Sequence, residues 1–125
     1  RQAGEQDPPV LMLHDDLDRQ LDIGIGLCEA LAIQLAINKT VVGRPLTHDL
    51  FLAVADHLDT RVDRVIIDDV SKGIYYARLI LAGDSGEVAL DCRPSDGIAL
   101  ALRANIPILA AEAVMHGDTA DAEEE

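Results

Sequence analysis

The chain has 125 residues, 49% of them hydrophobic, which is enough for one folded domain with a modest core. Acidic residues outnumber basic ones by 23 to 10, and the formal net charge is −13 at pH 7. This charge disfavours a protein that binds DNA or RNA mainly through lysine and arginine, and aromatics at 2% exclude a broad base-stacking surface.

The first half of the chain predicts a β-hairpin followed by two helices. Residues 10–13 and 21–25 have strand patterns, and the acidic run at 14–18 between them is the turn. Residues 27–38 are apolar on most sides, which predicts a largely buried helix. Residues 47–58 repeat apolar side chains at a spacing of three to four, which predicts a second helix.

The second half predicts three antiparallel strands, a third helix and a short last strand. Strands grouped beside grouped helices favour an α+β class, a single compact domain with a mixed, mainly antiparallel sheet packed against about three helices. The predicted strands are 62–70, 74–82, 87–92 and 107–110, and the predicted helical segments are 95–104 and, for one turn, 112–116.

The two ends of the chain differ from its middle. Residues 1–9 are polar and end in proline, and residues 117–125 are small and acidic, so we predict a flexible N-terminal segment, a domain at 10–116 and a disordered tail. No apolar run approaches the roughly 20 residues that span a bilayer, and no signal region is evident, so we expect a cytoplasmic protein with no membrane contact. Cys28 and Cys92 are predicted to be reduced and buried.

Two short motifs share one pattern. Residues 44–49 read RPLTHD and residues 93–96 read RPSD, and each precedes a helical segment. The residue before a proline avoids the helical region, and threonine or serine is a preferred N-cap. We therefore predict two junctions between a loop and a helix, capped by Thr47 and Ser95.

Helix starts attract anions, so the charged groups in these motifs have alternative roles. Asp49 and Asp96 either complement the helix dipole or hold a divalent metal that binds a phosphodiester. Arg44 and Arg93 either clamp phosphate oxygens or form internal salt bridges with nearby carboxylates. His48 is either a general base, a metal ligand or a simple hydrogen-bond donor.

The same motifs carry a family resemblance. In order and spacing, residues 26–30 (GLCEA), 44–50 (RPLTHDL), 65–67 (VII), 75–79 (YYARL) and 91–96 (DCRPSD) resemble the bifunctional nuclease domain. The resemblance extends over about residues 9–115. Members of that family are described as nucleases acting on both DNA and RNA, so the resemblance implies hydrolysis of phosphodiester bonds.

From the motifs and the resemblance together we predict a metal-assisted nuclease site. The predicted catalytic residues are His48, Asp49 and Asp96; the predicted substrate-binding residues are Arg44, Arg93, Thr47 and Ser95; and the predicted ligands of Mg²⁺ or Mn²⁺ are Asp49, Asp91, Asp96 and Glu29. DNA or RNA is the expected substrate.

The acidity leaves two explanations open. Either the chain is a non-enzymatic oligomeric binding or regulatory module with a structural Arg–Asp network, or it is a nuclease adapted to high salt, where self-repulsion is screened. Only two lysines, Lys39 and Lys72, are present, and the acids are spread over loops and tails, which favours a halophilic archaeal member of the family. A core with few aromatics also favours a homo-oligomer.

Overall fold

A computed structural model describes residues 8–115. The predicted flexible segment up to residue 7, the end of the last helical turn at His116 and the predicted acidic tail lie outside these residues. The elements are β1 (Val10–His14), β2 (Gln20–Gly24), α1 (Leu27–Ile37), α2 (Thr47–His57), β3 (Arg61–Ser71), β4 (Ile74–Gly83), β5 (Gly86–Cys92), α3 (Pro94–Ala104) and β6 (Ile108–Ala110). A helical turn follows at 112–115.

The strands form two sheets. β1 and β2 make an antiparallel hairpin of their own, and the larger sheet has the order β5-β4-β3-β6. β3, β4 and β5 pair antiparallel, whereas β6 pairs parallel with β3. Lys72 and Gly73, both with positive φ, make the tight turn between β3 and β4. The predicted α+β class with a mixed, mainly antiparallel sheet is confirmed.

Helix α3 is the centre of the domain. It packs against α1, α2, β3 and β4, and its residues 97–101 are all buried. Gly97 allows this close approach, because a Cβ at that position would lie 2.8 Å from Val65 Cγ1 and 3.4 Å from Cys92 Sγ. The start of α3 is therefore held firmly against the sheet.

The other two helices are less buried than their sequences suggest. The prediction of a largely buried α1 is wrong, since Ile33 is its only fully buried residue, while Leu27 is 79% exposed and Leu31 is 60% exposed. α1 packs on α3 along one side, which leaves the other side open. On α2, Phe51 and Ala55 face the core.

Tyr75 is buried and Tyr76 is exposed, because neighbouring side chains on a strand point to opposite faces of the sheet. Both cysteines are free as predicted, but Cys28 is exposed and Cys92 is only partly buried. The expectation that both are buried is therefore wrong, because Cys28 lies in the first turn of the half-open α1.

No helix within residues 8–115 has the length and apolarity to cross a membrane.

Candidate functional site

Both Arg-Pro motifs lead into helices: α2 begins at Thr47 as predicted, and α3 begins at Pro94, one residue before its predicted start. The N-caps are Arg93 for α3 and Leu46 for α2, so Ser95 and Thr47 are not the caps. In α3 the fixed φ of proline suits the first helical position, so the helix starts at Pro94. In α2 the carboxylate of Asp49 accepts a hydrogen bond from Leu46 N–H at 2.9 Å and supplies the capping interaction itself.

Four predicted residues meet where the three helices begin. Arg93 donates from Nε to Asp96 Oδ2 at 3.0 Å and from Nη1 to Glu29 Oε2 at 2.9 Å. The other oxygen of Asp96, Oδ1, lies 3.1 Å from His48 Nε2 and 3.3 Å from Arg93 Nη2. We call Glu29, His48, Arg93 and Asp96 the Asp96 network; it joins residues from the first turns of α1, α2 and α3.

The network keeps its carboxylates ionised. Partial burial by itself raises the pKa of Asp96, but hydrogen bonds from Arg93 and His48 outweigh it and hold that pKa below its usual value. A backbone hydrogen bond and the bond from Arg93 also lower the pKa of Glu29. The same pairs raise the pKa of Arg93. At neutral pH, Asp96 is therefore a hydrogen-bond acceptor only.

A second ion network lies at the opposite end of α3. Arg103 donates from Nε to Asp49 Oδ1 at 3.2 Å, from Nη1 to Ala99 O at 3.0 Å and from Nη2 to Ala32 O at 3.1 Å. Its side chain is only 10% exposed. We call Arg103 and Asp49 the Arg103 network; through it α3 is fastened to both α1 and α2.

Sequence reasoning missed Arg103 altogether. The available signal was a single charged residue at the end of an otherwise apolar helix, seven positions after Asp96. A charge in such a place requires an ionic or hydrogen-bonding partner. That partner is Asp49, so the structure places this predicted catalytic and metal-binding residue in a structural pair and outside the Asp96 network.

A cleft opens over the Asp96 network. Its walls are Cys28, Glu29, Leu31, Ala32, Leu35, Leu46, Thr47, His48, Arg93 and Asp96. A neighbouring cavity shares Glu29 and Arg93 with it and reaches the end of β2, and Ser95 lies in its wall. Another shares His48 and Asp96 with it and reaches β5, and Asp91 lies in its wall.

The remaining predicted residues occupy different positions around this cleft. Thr47 lines it and is exposed, whereas Ser95 is buried. Asp91 is exposed at the end of β5 and borders only the β5 side. Arg44 is exposed in the connection before α2 and does not line the cleft. The structure therefore brings together Glu29, Thr47, His48, Arg93 and Asp96.

The comparisons agree with this arrangement of motifs. The profile of the bifunctional nuclease domain matches residues 10–123. The chain belongs to the bifunctional nuclease domain family. An uncharacterized protein of Mycobacterium tuberculosis is 40% identical over 111 residues, which cover 88% of this chain and 66% of that protein.

Two rice proteins are more distant relatives. Bifunctional nuclease 1 of Oryza sativa subsp. japonica is 28% identical over 102 residues, covering 79% of this chain and 31% of the rice protein. Bifunctional nuclease 2 of the same plant is 27% identical over 120 residues, covering 94% and 37%. The chain therefore spans 66% of the mycobacterial relative and about a third of the rice proteins.

The domain does not present a ready-made metal centre. No group of three or more His, Cys, Asp or Glu side chains within residues 8–115 is arranged to hold a metal ion. Glu29 and Asp96 both bind Arg93, and Asp49 binds Arg103. Because these carboxylates are paired with arginines, the described side chains do not form a binding site for the predicted Mg²⁺ or Mn²⁺. The metal cofactor stays a prediction.

The thiol of Cys92 lies near the Asp96 network. Burial and the nearby carboxylates of Asp96 and Asp91 raise the pKa of Cys92 to about 11. The thiol is therefore protonated at neutral pH, where the thiolate would be the reactive form. His48 is the one histidine among the residues that line the cleft.

Proposed function

We propose that this domain hydrolyses phosphodiester bonds of DNA and RNA in the cleft, with His48 as the proton-transfer group. The observation that carries the proposal is the contact between His48 Nε2 and Asp96 Oδ1, with Asp96 itself held by Arg93. These residues come from the two Arg-Pro motifs, which are also where the chain resembles its family.

The hydrogen bond to Asp96 sets the tautomer of His48. Because an ionised carboxylate only accepts, a neutral imidazole donates its proton from Nε2 to Asp96. The other ring nitrogen, Nδ1, is then free to accept a proton from a water molecule that attacks phosphorus. As the new P–O bond forms, the P–O bond to the leaving sugar oxygen breaks, and that oxygen takes the proton back from His48. Asp96 is a positioning residue in this scheme, since it acts through His48.

Arg93 is placed to meet the phosphate. Its side chain is 63% exposed although it is paired with Glu29 and Asp96. A guanidinium has five N–H donors, and three of them are used in the network, so two remain for phosphate oxygens. Backbone N–H groups in the first turn of α3 add a favourable dipole. Thr47, which lines the cleft, and Arg44, which is exposed before α2, are further proposed contacts along the nucleic-acid chain, whereas Ser95 is too buried to reach it.

The network has a net charge of −1 when His48 is neutral, from two carboxylates and one guanidinium. A phosphodiester approaching it is therefore repelled at low salt. We propose that the domain works at high salt, where this repulsion is screened, in keeping with the net charge of −13. Mg²⁺ or Mn²⁺ would also relieve it, but the scheme for His48 and Arg93 does not use a metal.

The test is cleavage of labelled single-stranded and double-stranded DNA and RNA at high salt, with Mg²⁺, with Mn²⁺ and with EDTA. Wild-type protein is compared with His48→Ala and with His57→Ala, an exposed histidine at the other end of the same helix. We expect His48→Ala to lose at least about 100-fold in rate and His57→Ala to keep wild-type activity.

Each arm of this experiment decides a separate point. Equal cleavage by His48→Ala and wild type would contradict the role of His48. Cleavage that survives EDTA would show that the reaction needs no divalent metal. Cleavage that requires Mg²⁺ or Mn²⁺ would show that a metal takes part in the reaction. Absence of cleavage on all four substrates would contradict the nuclease function itself.

A second candidate function is a non-enzymatic, self-associating binding module. It is favoured by one observation: Glu29, Asp49 and Asp96 are all paired with arginines, as in a purely structural network. In that case no substrate is cut by any variant, and Arg93→Ala loses folding or association instead of activity.

A further inference from the structure

A second cavity adjoins the cleft near the other end of α1. It has a volume of about 500 Å³ and lies where the ends of α1 and α3 meet the start of α2. Its charged walls are Lys39, Asp49 and Arg103, and we call it the Lys39 cavity. It shares Leu35 and Leu46 with the cleft, so the two cavities are neighbours between α1 and α2.

One side of α1 borders both cavities. Leu31 and Leu35 line the cleft, and Leu35 and Lys39 line the Lys39 cavity, at the four-residue spacing of one helix face. From Glu29, which binds Arg93, to Lys39 the rise of a helix amounts to about 15 Å. A stacked nucleic-acid chain carries one phosphate per ~3.4 Å of its axis, so this distance corresponds to about four or five nucleotides.

The Lys39 cavity is more positive than the cleft. Lys39 and Arg103 against Asp49 give its walls a net charge of +1, whereas the Asp96 network carries −1 when His48 is neutral. The dipoles of α1 and α3 present their negative ends here and the dipole of α2 its positive end, so about half a positive charge remains. An anion therefore meets a more favourable potential here than over the Asp96 network.

Lys39 is a cation without an internal ion pair. Within residues 8–115, ion pairs hold five arginines, whereas Lys39, Arg44, Arg61 and Lys72 form none. Lys39 is the one of these four that lines the cavity, and Arg44 lies in the connection that forms part of the same wall. An unpaired ammonium binds a phosphate without giving up a salt bridge.

The backbone holds Lys39 at the cavity. Its φ is 53°, in the left-handed region, and its N–H donates to Ala36 O at 3.2 Å. Thr40 N–H donates to Leu35 O at 3.0 Å, and the two bonds close the end of α1. Glycine is the usual residue at such a helix end, because a Cβ is strained there. Lysine at this position is therefore explained better by its charge than by its conformation.

We propose that the nucleic-acid chain cut at the Asp96 network continues along α1 into the Lys39 cavity, where Lys39 binds a second phosphate. This phosphate lies about four or five nucleotides from the scissile one. Arg103 stays bound to Asp49 and contributes its charge to the wall. The Lys39 site rests on the proposed nuclease function and gives it a second point of contact with the substrate.

The first test is the salt dependence of binding to a single-stranded DNA of roughly 12 nucleotides, long enough to reach Lys39 from either direction. All proteins carry His48→Ala so that the DNA stays intact, and fluorescence anisotropy gives the affinity. Lys39→Gln is compared with Arg61→Gln, which also removes one exposed and unpaired cation, but from the start of β3.

We expect Lys39→Gln to reduce the slope of log affinity against log salt concentration by about 0.7, the value for one phosphate contact on a single strand. Over a tenfold range of salt this amounts to about a 5-fold difference in affinity. Arg61→Gln should keep the slope of the parent protein, and Lys39→Arg should restore it. Circular dichroism at each salt concentration checks that the proteins are folded.

Substrate length separates a phosphate contact from an effect on the fold, because a lysine at the end of α1 also offsets the helix dipole. With His48 intact, we expect Lys39→Gln to cut a dinucleotide with the kcat/KM of wild type. For the longer DNA, the same variant should raise KM about 5-fold and leave kcat unchanged.

Three binding results would overturn the Lys39 site: no binding of the DNA by the parent protein, equal slopes for the parent and Lys39→Gln, or equal losses in Lys39→Gln and Arg61→Gln. Equal losses of Lys39→Gln on the dinucleotide and the longer DNA would also overturn it. If the DNA is bound but no protein cuts any substrate, the nuclease function is contradicted, and the salt slopes decide whether Lys39 binds a phosphate.

Discussion

Helix α3 has an arginine at each end, and the two are used in opposite ways. Arg93 is its N-cap and is 63% exposed, while Arg103 lies in its last turn and is 10% exposed. Both bind carboxylates from neighbouring helices, Glu29 for one and Asp49 for the other. The two arginines make the same kind of ion pair, but their side chains differ in how far they are buried.

Burial decides what each network contributes. An exposed ion pair adds little to stability, because water already solvates both charges and salt screens them. A buried arginine that also donates to two backbone carbonyls cannot be removed without the loss of all three of these contacts. The Arg103 network therefore holds the three helices together, and the Asp96 network remains available for a ligand.

We expect the largest effect on stability from removing Arg103, the buried arginine at the C-terminal end of α3. Arg103→Met removes the ion pair with Asp49 and one hydrogen bond to each of two carbonyl oxygens, and should lower the free energy of unfolding by about 2–3 kcal/mol. Urea unfolding at high salt measures it. The control is Arg78→Met, which removes an arginine that is 55% exposed and paired with Asp68, and should cost less than ~1 kcal/mol. Equal losses in the two variants would mean that burial does not distinguish them.

Removing Arg93, the exposed arginine at the N-terminal end of α3, should affect activity more than stability. Arg93→Ala should reduce cleavage by about 100-fold, because it removes donors aimed at the phosphate, while the free energy of unfolding falls by ~1 kcal/mol or less. Cleavage rates and urea unfolding on the same preparation provide both values. An unfolded Arg93→Ala protein would instead assign this network to structure.

Gly97→Ala adds a methyl group near the N-terminal end of α3 and leaves the Arg103 network unchanged, so it tests how firmly that end is held on the sheet. The new Cβ would meet Val65 Cγ1 at 2.8 Å, so Gly97→Ala should cost about 1–3 kcal/mol of stability. The control is Gly43→Ala, where no atom lies within 4 Å of the added Cβ. Thermal unfolding of both variants measures the difference, and a neutral Gly97→Ala would show that α3 can shift on the sheet.

The smallest expected effect is the pH dependence due to Asp96. Its folded-state pKa lies below the ordinary value of 3.8, so its contribution to stability is complete above that value and is lost as pH falls through the folded-state pKa. Unfolding between pH 5 and pH 2 should therefore depend less on pH in Asp96→Asn than in wild type. Arg93→Ala, which removes the first partner of Asp96, should show part of the same change. Identical curves for all three proteins would contradict the lowered pKa.

Much of the fold followed from local patterns. Alternating strands and the turn residues Lys72 and Gly73 predicted the hairpins, and apolar spacing predicted the helices. The error on α1 is instructive. Its composition is that of a buried helix, yet composition does not reveal how much of a helix the rest of the chain covers.

The candidate site was predicted less completely than the fold. Arg93 and Asp96 are three residues apart at a helix start, so their pairing is a local property of the sequence. Glu29 lies 64 residues from Arg93, and His48 lies 48 residues from Asp96. The spacing of these residues along the sequence does not show that Glu29 and His48 lie near Asp96. It also does not show that Asp49 pairs with a different arginine.

The sequence by itself determined the elements, their turns and the two motifs at helix starts, because these depend on backbone preferences and side-chain spacing within a few residues. Only the tertiary structure decided which carboxylate meets which arginine. That choice depends on how α1 and α2 pack on α3, and the packing buried Arg103 with Asp49 while leaving Arg93 and His48 around Asp96 at the cleft.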